Sequence, residues 1–240
     1  IVTEVPANQD WRAALSGPSS VVVGSFEMSI AYSLDADTFQ EAQGGDGAAW
    51  TCGCFDSENE RFLMFGRDGG AARSTTVTGD VWEDLQGFPL GANQHAVAAA
   101  FAESSHRIVV AYNDGGAARM QVSSDGGDSW ARVNPGLPEV PRTLVWDSTT
   151  GLFTGVSGTY FIFSRNGLKW ESDLVDQDAI LQGCAPGMGA DGFLMLLTSN
   201  TNDPRGFINP LFSYDVETEF ILPDEMARQS GPAFVYVQVK

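Results

Sequence analysis

The stretch DGGAARMQVSSDGGDSW, residues 114–130, decides the fold class of this chain. Its first six residues, DGGAAR, also occur at 68–73, so the second copy begins 46 residues after the first. After each copy come an apolar or alternating segment, a polar turn and a segment led by tryptophan, at Trp82 and Trp130. Self-similarity at a period of about 40–50 residues is typical of radial or stacked repeat proteins. The sequence therefore predicts a repeated supersecondary unit.

Further copies of this unit occur on both sides of the stretch. Phe39, Trp170 and Phe220 take the place of the leading tryptophan. A serine or threonine opens each polar turn, with spacings of 42, 48, 41 and 49 residues, at Ser33, Thr75, Ser123, Ser164 and Ser213. Short apolar segments separated by Gly, Asp or Asn fill each repeat, and no segment has helical periodicity. Four short antiparallel strands per repeat describe the blade of a β-propeller, an all-β fold.

The sequence predicts five blades, with six as the alternative. Residues 231–240, GPAFVYVQVK, form one isolated innermost strand in this interpretation, and residues 19–43 form three strands that lack an innermost one. A blade shared by the N- and C-terminal strands would close the ring and leave no open sheet edge. We therefore expect a single propeller domain at 18–240. Residues 1–17 would be an N-terminal extension or partial outer strand, in which Trp11 could open a sixth blade.

The turn SSDGGDSW resembles the Asp-box, S/T-x-D-x-G-x-T/S-W/F, of the bacterial neuraminidase repeats in sialidase-like propellers. The segment SRNGLKW resembles its shorter variant. The residues that match the box are Ser123, Asp125, Gly127, Trp130, Ser164, Asn166, Gly167 and Trp170. In the resembled family the box is a structural hairpin between the third and fourth strands, on the face away from the ligand. The resemblance thus implies that Asp125 caps a turn and is not a catalytic acid.

The two DGGAAR copies predict hairpins between the second and third strands, because Asp-Gly and Gly-Gly favour two-residue turns. One interpretation is turn chemistry with a surface Asp–Arg pair that contributes little stability. The other places these hairpins opposite the boxes, on the face where propellers usually bind ligands. Arg73 and Arg119 on adjacent blades would then form a candidate ligand face that grips one anion.

Composition narrows the choice of partners. The net charge is −18, which repels nucleic acid and anionic lipid, and no apolar run is long enough for a membrane helix. We therefore expect no nucleic acid and no membrane insertion. The three cysteines, Cys52, Cys54 and Cys184, are predicted to be buried unpaired thiols. With only two histidines, His95 and His106, and no cofactor motif, we expect no metal and no cofactor.

The resemblance to sialidases raises the question of catalysis. Such sites begin with an early Arg-Ile-Pro-like motif, whereas the first arginine here, Arg12, lies in DWRAAL. We therefore expect no catalytic residues and a non-catalytic propeller that acts as a rigid binding or structural module of a larger assembly. Protein partners in a phage virion or another extracellular complex are expected, and the start at Ile1 indicates a processed chain or fragment. The alternatives are a carbohydrate-binding, lectin-like propeller and a glycosidase.

Overall fold

The computed structural model describes residues 9–174, except positions 46 and 149, and the strand backbones at 181–186, 193–198, 205–210 and 218–221. The chain divides into two compact units, Ile1–Gly136 and Leu137–Lys240. A single 3-10 turn, Glu103–Ser105, is the only helix among the described residues. Within this part of the chain, no helix has the length and apolar character needed to cross a membrane.

The first unit contains three four-stranded antiparallel sheets, each with its strands in chain order. The first sheet comprises β1 (Trp11–Ser16), β2 (Val21–Ser25), β3 (Ile30–Ser33) and β4 (Gln40–Glu41). The second comprises β5 (Trp50–Asp56), β6 (Arg61–Gly66), β7 (Ala71–Ser74) and β8 (Trp82–Asp84). The third comprises β9 (Gln94–Ala102), β10 (Arg107–Asp114), β11 (Ala117–Ser123) and β12 (Ala131–Val133). The first strands of successive sheets pack together, β1 on β5 and β5 on β9, as the inner strands of propeller blades do.

The second unit contains two sheets of the same kind. One comprises β13 (Thr143–Asp147), β14 (Leu152–Ser157), β15 (Tyr160–Ser164) and β16 (Glu171–Leu174). The other comprises β17 (Leu181–Pro186), β18 (Phe193–Thr198), β19 (Arg205–Pro210) and β20 (Thr218–Ile221). The predicted blade, four antiparallel strands in sequence order, is therefore present in both units.

The first sheet corrects the predicted closure of the ring. β1 pairs with β2, with Ser16 opposite Val21, and β3 pairs with the other side of β2. Both neighbours of β2 thus come from the N-terminal part of the chain, and β1 fills the place that the sequence pattern assigns to residues 231–240. That C-terminal segment lies outside the described residues. Trp11 begins the first strand of this sheet and does not open a fourth strand.

The second strands explain how the sheets stack in the first unit. In β6, Phe62 and Met64 belong to the core between the first and second sheets, whereas Leu63 and Phe65 belong to the core between the second and third. All four are fully buried. Because successive strand residues point to opposite faces, a strand covered on both faces must be apolar at every position. This is why residues 62–65, FLMF, form a continuous apolar run without alternation.

Small residues let the inner strands approach each other. A Cβ atom at Gly53 would lie 2.3 Å from the carbonyl oxygen of Leu63 and 2.7 Å from a methyl group of Leu15. In β9, the alanines Ala96, Ala98 and Ala100 are all buried. Larger side chains at these positions would push neighbouring sheets apart.

The fourth strands β4, β8, β12 and β16 form exposed edges. They contain two to four residues each and carry most of their charges on exposed positions, namely Glu41, Glu83, Asp84, Arg132, Glu171 and Asp173. Short, charged edge strands discourage pairing with the strands of other chains. Part of the acidic composition therefore protects the edges of the sheets.

Candidate functional site

Each sheet of the first unit has its turns at two opposite ends, because consecutive hairpins of a meander alternate in direction. In the first unit, the capped end carries the turns at 34–39, 57–60, 75–81, 103–106 and 124–130. The open end carries the turns between second and third strands, at 26–29, 67–70 and 115–116. Of the predicted box residues, Ser123, Asp125, Gly127 and Trp130 lie at this capped end.

The turn at 124–130 satisfies its own polar groups. Asp125 accepts hydrogen bonds from the backbone N–H of Ser129 at 2.9 Å, from its hydroxyl at 2.5 Å, and from the Ser123 hydroxyl at 2.8 Å. Ser123 Oγ in turn accepts the N–H of Gly127 at 2.8 Å. The indole of Trp130 donates to the Gly127 carbonyl at 2.9 Å. Gly127 has φ +96°, a conformation that favours glycine.

The shorter turn at 165–170, in the second unit, repeats these contacts. The N–H of Gly167 bonds to Ser164 Oγ at 2.9 Å, and the indole of Trp170 donates to the Gly167 carbonyl at 2.9 Å. Asn166 Oδ1 accepts the N–H groups of Leu168 and Lys169 at 2.9 and 3.0 Å. A neutral amide oxygen thus replaces the carboxylate of Asp125.

A third copy, in the second sheet, lies one residue away from the register that the sequence pattern predicts. Ser74, and not Thr75, is buried at the start of this turn, where its hydroxyl accepts the N–H of Phe62 at 2.8 Å and donates to the Thr76 carbonyl. The indole of Trp82 donates to the Gly79 carbonyl at 2.7 Å. The glycine stands three residues before the tryptophan in all three copies, so counting back from the aromatic residue yields the correct register.

Acidic caps of these turns have low pKa values. Hydrogen bonds from Ser129 lower the pKa of Asp125 to about 2. The hydroxyl of Thr76 lowers the pKa of Asp80, and the N–H of Thr38 lowers that of Asp35. Each carboxylate is therefore held in its ionised form as a turn acceptor, which is opposite to what a general acid at neutral pH requires.

Asp125 should make the stability of its turn depend on acidity. Its folded pKa lies below the unfolded value of about 3.9, so its contribution is complete above that pH and is lost as pH falls through about 2. Asp125→Asn keeps an acceptor, as Asn166 does, but does not titrate, so its unfolding free energy should depend less on pH between about 4 and 2.

Urea unfolding at several pH values measures this difference, and Asp125→Ala is the control that removes the acceptor. Asp125→Ala should cost about 1 kcal/mol at neutral pH, like the loss of another turn cap. The cap assignment would be wrong if Asp125→Asn and the parent protein lost stability in parallel on acidification.

The two DGGAAR copies form different turns. In the second copy, Asp114 pairs with Ala117 across a two-residue turn of Gly115 and Gly116, whose φ angles are +62° and +92°. No atom lies within 4 Å of a Cβ built on either glycine, so only their backbone conformation requires glycine. This is the two-residue hairpin that the Asp-Gly-Gly pattern predicts.

The first copy forms a longer, packed turn. Phe65 pairs with Ala71, and the residues between them fold so that the N–H of Gly66 bonds to the Gly70 carbonyl. A Cβ at Gly70 would lie 1.9 Å from the Cβ of Ala48, and one at Gly69 would lie 2.3 Å from a backbone oxygen. Here glycine is required because another chain segment passes close by.

The two predicted ligand arginines are consequently not equivalent. Ser74 and Ser123 open corresponding turns of their sheets. Arg73 lies one residue before Ser74, whereas Arg119 lies four residues before Ser123. Because side chains alternate along a strand, the two arginines point to opposite faces of their sheets. Arg73 pairs with Glu83 at 2.6 Å and with Asp128 at 2.9 Å. Arg119 bonds to the Ala118 carbonyl at 2.8 Å and to Asn134. A shared anion site remains a prediction that this geometry does not favour.

A different arginine stands out at the open end. The guanidinium of Arg67, in the turn at 67–70, lies over the ring of Phe26, 4.7 Å from its centroid. Arg67 is exposed, and among the described residues its guanidinium has no hydrogen bond or ion pair. By contrast, Arg12 pairs with Asp10 and Arg132 with Asp114. No local sequence pattern points to this stack, because Phe26 belongs to a different sheet.

Exposed methionine adds apolar surface at the same end. Met28 follows Phe26 in the turn at 26–29 and is 51% exposed with φ +73°. His95 is bridged to Arg67 through the backbone, which places the two residues side by side. The open end of the first unit thus combines an arginine, an aromatic ring and a methionine.

The three cysteines are buried thiols that burial keeps protonated. Cys52, Cys54 and Cys184 are buried free thiols, as predicted. Burial raises the pKa of Cys52 and of Cys184 to about 12 and that of Cys54 well above its usual value, so these thiols stay protonated. No group of three or more His, Cys, Asp or Glu side chains that could hold a metal ion occurs within the described residues.

Comparisons with known proteins support the fold. No family model and no curated protein matches the chain. Among solved structures, the WD40 β-propeller domain of Doa1 is similar, with a TM-score of 0.65 and 16% identity over 93% of this chain and 72% of that one. YCF48 bound to D1 peptide is similar over 88% of this chain and 66% of that one, with a TM-score of 0.59 and 11% identity. The chain therefore has an all-β propeller fold built from four-stranded antiparallel blades.

Proposed function

We propose that the chain is a non-catalytic β-propeller module that binds a protein partner through the open end of its first unit. The observation that carries this proposal is the exposed Arg67 stacked on Phe26 without a carboxylate partner among the described residues. In a chain of net charge −18, a guanidinium that no carboxylate of the described residues binds keeps its donors for another molecule. Arginine and aromatic residues are enriched where proteins bind each other.

The contrast between the two ends supports this choice of surface. At the capped end, Asp35, Asp80 and Asp125 are all engaged by groups of their own turns. Arg61 links two turns there by donating to the Gly126 carbonyl at 2.6 Å. These side chains hold the hairpins and have little capacity left for a ligand. We infer that the turns at Ser123–Trp130 and Ser164–Trp170 are structural Asp-boxes of the sialidase-like type.

The similar structures support a protein partner. YCF48 was solved bound to a peptide, and the similar domain of Doa1 is a WD40 propeller. The absence of activity is proposed on two grounds: the thiols are buried and protonated, and the carboxylate in the best-formed box is a turn acceptor. We further propose that the sheets close into a ring and that the module belongs to a larger assembly, with a phage virion or another extracellular complex as hypotheses. Carbohydrate binding remains an alternative hypothesis.

Two matched substitutions test the surface. Met28, at the open end, is 51% exposed, and Leu34, at the capped end, is 63% exposed. Met28→Gln should weaken binding of a purified partner by about 10-fold, because a methionine buried in an interface contributes on the order of 1–2 kcal/mol. Leu34→Gln should leave binding unchanged.

The measurement has two stages. A partner is first identified by comparing proteins that co-purify with the parent chain and with each variant from the native source. The affinity of that purified partner is then measured by titration calorimetry for all three chains. Weaker binding by Leu34→Gln, with Met28→Gln unaffected, would place the partner at the capped end and contradict the proposal.

A further inference from the structure

We propose that Arg67 and Phe26 form a subsite for the side-chain carboxylate of an aspartate or glutamate in an extended peptide segment of the partner. This proposal rests on the proposed function, because it names the chemistry that the open end recognises. The juxtaposition is a guanidinium over an aromatic ring, 4.7 Å from its centroid, with no carboxylate of the described residues bonded to it.

The contact with Phe26 leaves N–H donors of the Arg67 guanidinium available to a ligand. Attraction between a cation and the face of an aromatic ring holds the arginine side chain over that ring. A guanidinium carries five N–H donors, so contact with one aromatic ring leaves donors for a further acceptor. A carboxylate is the planar acceptor that matches two of these donors at once.

Nearby carboxylates of the chain already have other donors. Asp68 accepts the N–H of Asn93 at 2.9 Å, and Glu27 accepts the N–H of Asp10 at 2.6 Å. Asp10 in turn pairs with Arg12 at 2.5 Å. Each of these three carboxylates thus has another donor, and none of them bonds to Arg67.

Arg67 is also held in place before a ligand arrives. Its N–H donates to the Ala49 carbonyl at 3.0 Å, and its carbonyl accepts the N–H of Gly70 at 2.9 Å. A backbone bridge to His95 ties the same residue to the third sheet. Because the backbone and the side chain of Arg67 are held before binding, less conformational entropy is lost when a ligand binds.

A single carboxylate fits this site better than a polyanion does. One arginine can neutralise one negative charge, whereas nucleic acids and anionic membranes require many cations on one surface. The acidic remainder of the chain, with a net charge of −18, opposes both. The adjacent ring of Phe26 and the exposed Met28 offer apolar contact to the residues that flank an acidic side chain in a peptide.

Two pools of fluorescent peptides test the inference. Both contain octapeptides with amidated C-termini and randomised Gly, Ser, Val and Tyr positions, and they differ only in a central Glu or Gln. Fluorescence anisotropy should show about 10-fold tighter binding of the Glu pool to the parent chain. Arg67→Gln should abolish this preference, and Phe26→Leu should reduce it about threefold. Arg165→Gln, at an exposed arginine in the second unit, is the control and should keep it.

Two results would overturn the inference. They are equal binding of the two pools and a preference for Glu that persists in Arg67→Gln. Circular dichroism and thermal melting of Arg67→Gln check that this exposed substitution leaves the fold intact. If Met28→Gln loses the protein partner while the pools bind equally, the surface is right and its carboxylate chemistry is wrong. If the pools differ but Met28→Gln keeps the partner, the subsite is right and the proposed surface is wrong.

Discussion

Trp130→Ala should lower the free energy of unfolding by about 3 kcal/mol, the lower end for aromatic-to-alanine changes, because it removes a partly buried ring from an aromatic cluster between two sheets. The indole lies edge-on to Phe88, with ring centroids 4.9 Å apart, and to Phe65 at 5.8 Å. Phe65 is fully buried and Phe88 nearly so. The substitution also removes the hydrogen bond that the indole donates to the Gly127 carbonyl. Trp130 therefore connects its turn to the core of the first unit through ring packing and one hydrogen bond.

Equilibrium unfolding in urea measures this loss, and Trp130→Phe separates its two components. Phenylalanine keeps an aromatic ring at the cluster but lacks the indole N–H, so it should cost only about 1–2 kcal/mol. A loss below about 1 kcal/mol for Trp130→Ala would mean that Phe65 and Phe88 close the gap, and that the tryptophan is not an anchor.

The sequence predicts the blades well because their information is local. The segment between Ser123 and Trp130 contains its own cap, its positive-φ glycine and its aromatic anchor, all within eight consecutive positions. Continuous apolar runs such as that of β6 mark strands buried on both faces. The same local information is sufficient to predict that Asp125 caps a turn.

Local signals do not decide contacts between distant segments. The two DGGAAR copies are identical, yet the first forms a longer turn that packs against Ala48 and Leu90, which lie outside the hexapeptide. The predicted partner of β2 is wrong because alternating residues make WRAALS a weaker strand pattern than the apolar C-terminal segment. The stack of Arg67 on Phe26 joins residues 41 positions apart, on two sheets whose packing no local motif specifies.

Arg61→Met should destabilise the first unit by about 2–4 kcal/mol, because it leaves a buried carboxylate without its cation. Asp56 is fully buried at the end of β5, and Arg61 Nε lies 3.7 Å from its Oδ2 atom. The loss of stability should lie at the lower end of the range for broken buried ion pairs. The reason is that Asp56 also accepts hydrogen bonds from the N–H groups of Glu58 and Asn59 and from the side-chain amide of Asn59. The same substitution breaks the bond from Arg61 to the Gly126 carbonyl.

A double-mutant cycle separates these two effects of Arg61. Asp56→Asn removes the buried charge but keeps an acceptor for the turn, so Arg61→Met should cost at least about 1 kcal/mol less in that background. The loss of stability that remains in this background then measures the hydrogen bond from Arg61 to the Gly126 carbonyl, which joins the second sheet to the turn of the third. Equal costs in the two backgrounds would show that Arg61 acts through that carbonyl alone and that Asp56 is stabilised by its turn. The cycle therefore separates the charge pairing within the second sheet from the hydrogen bond that links this sheet to the turn of the third.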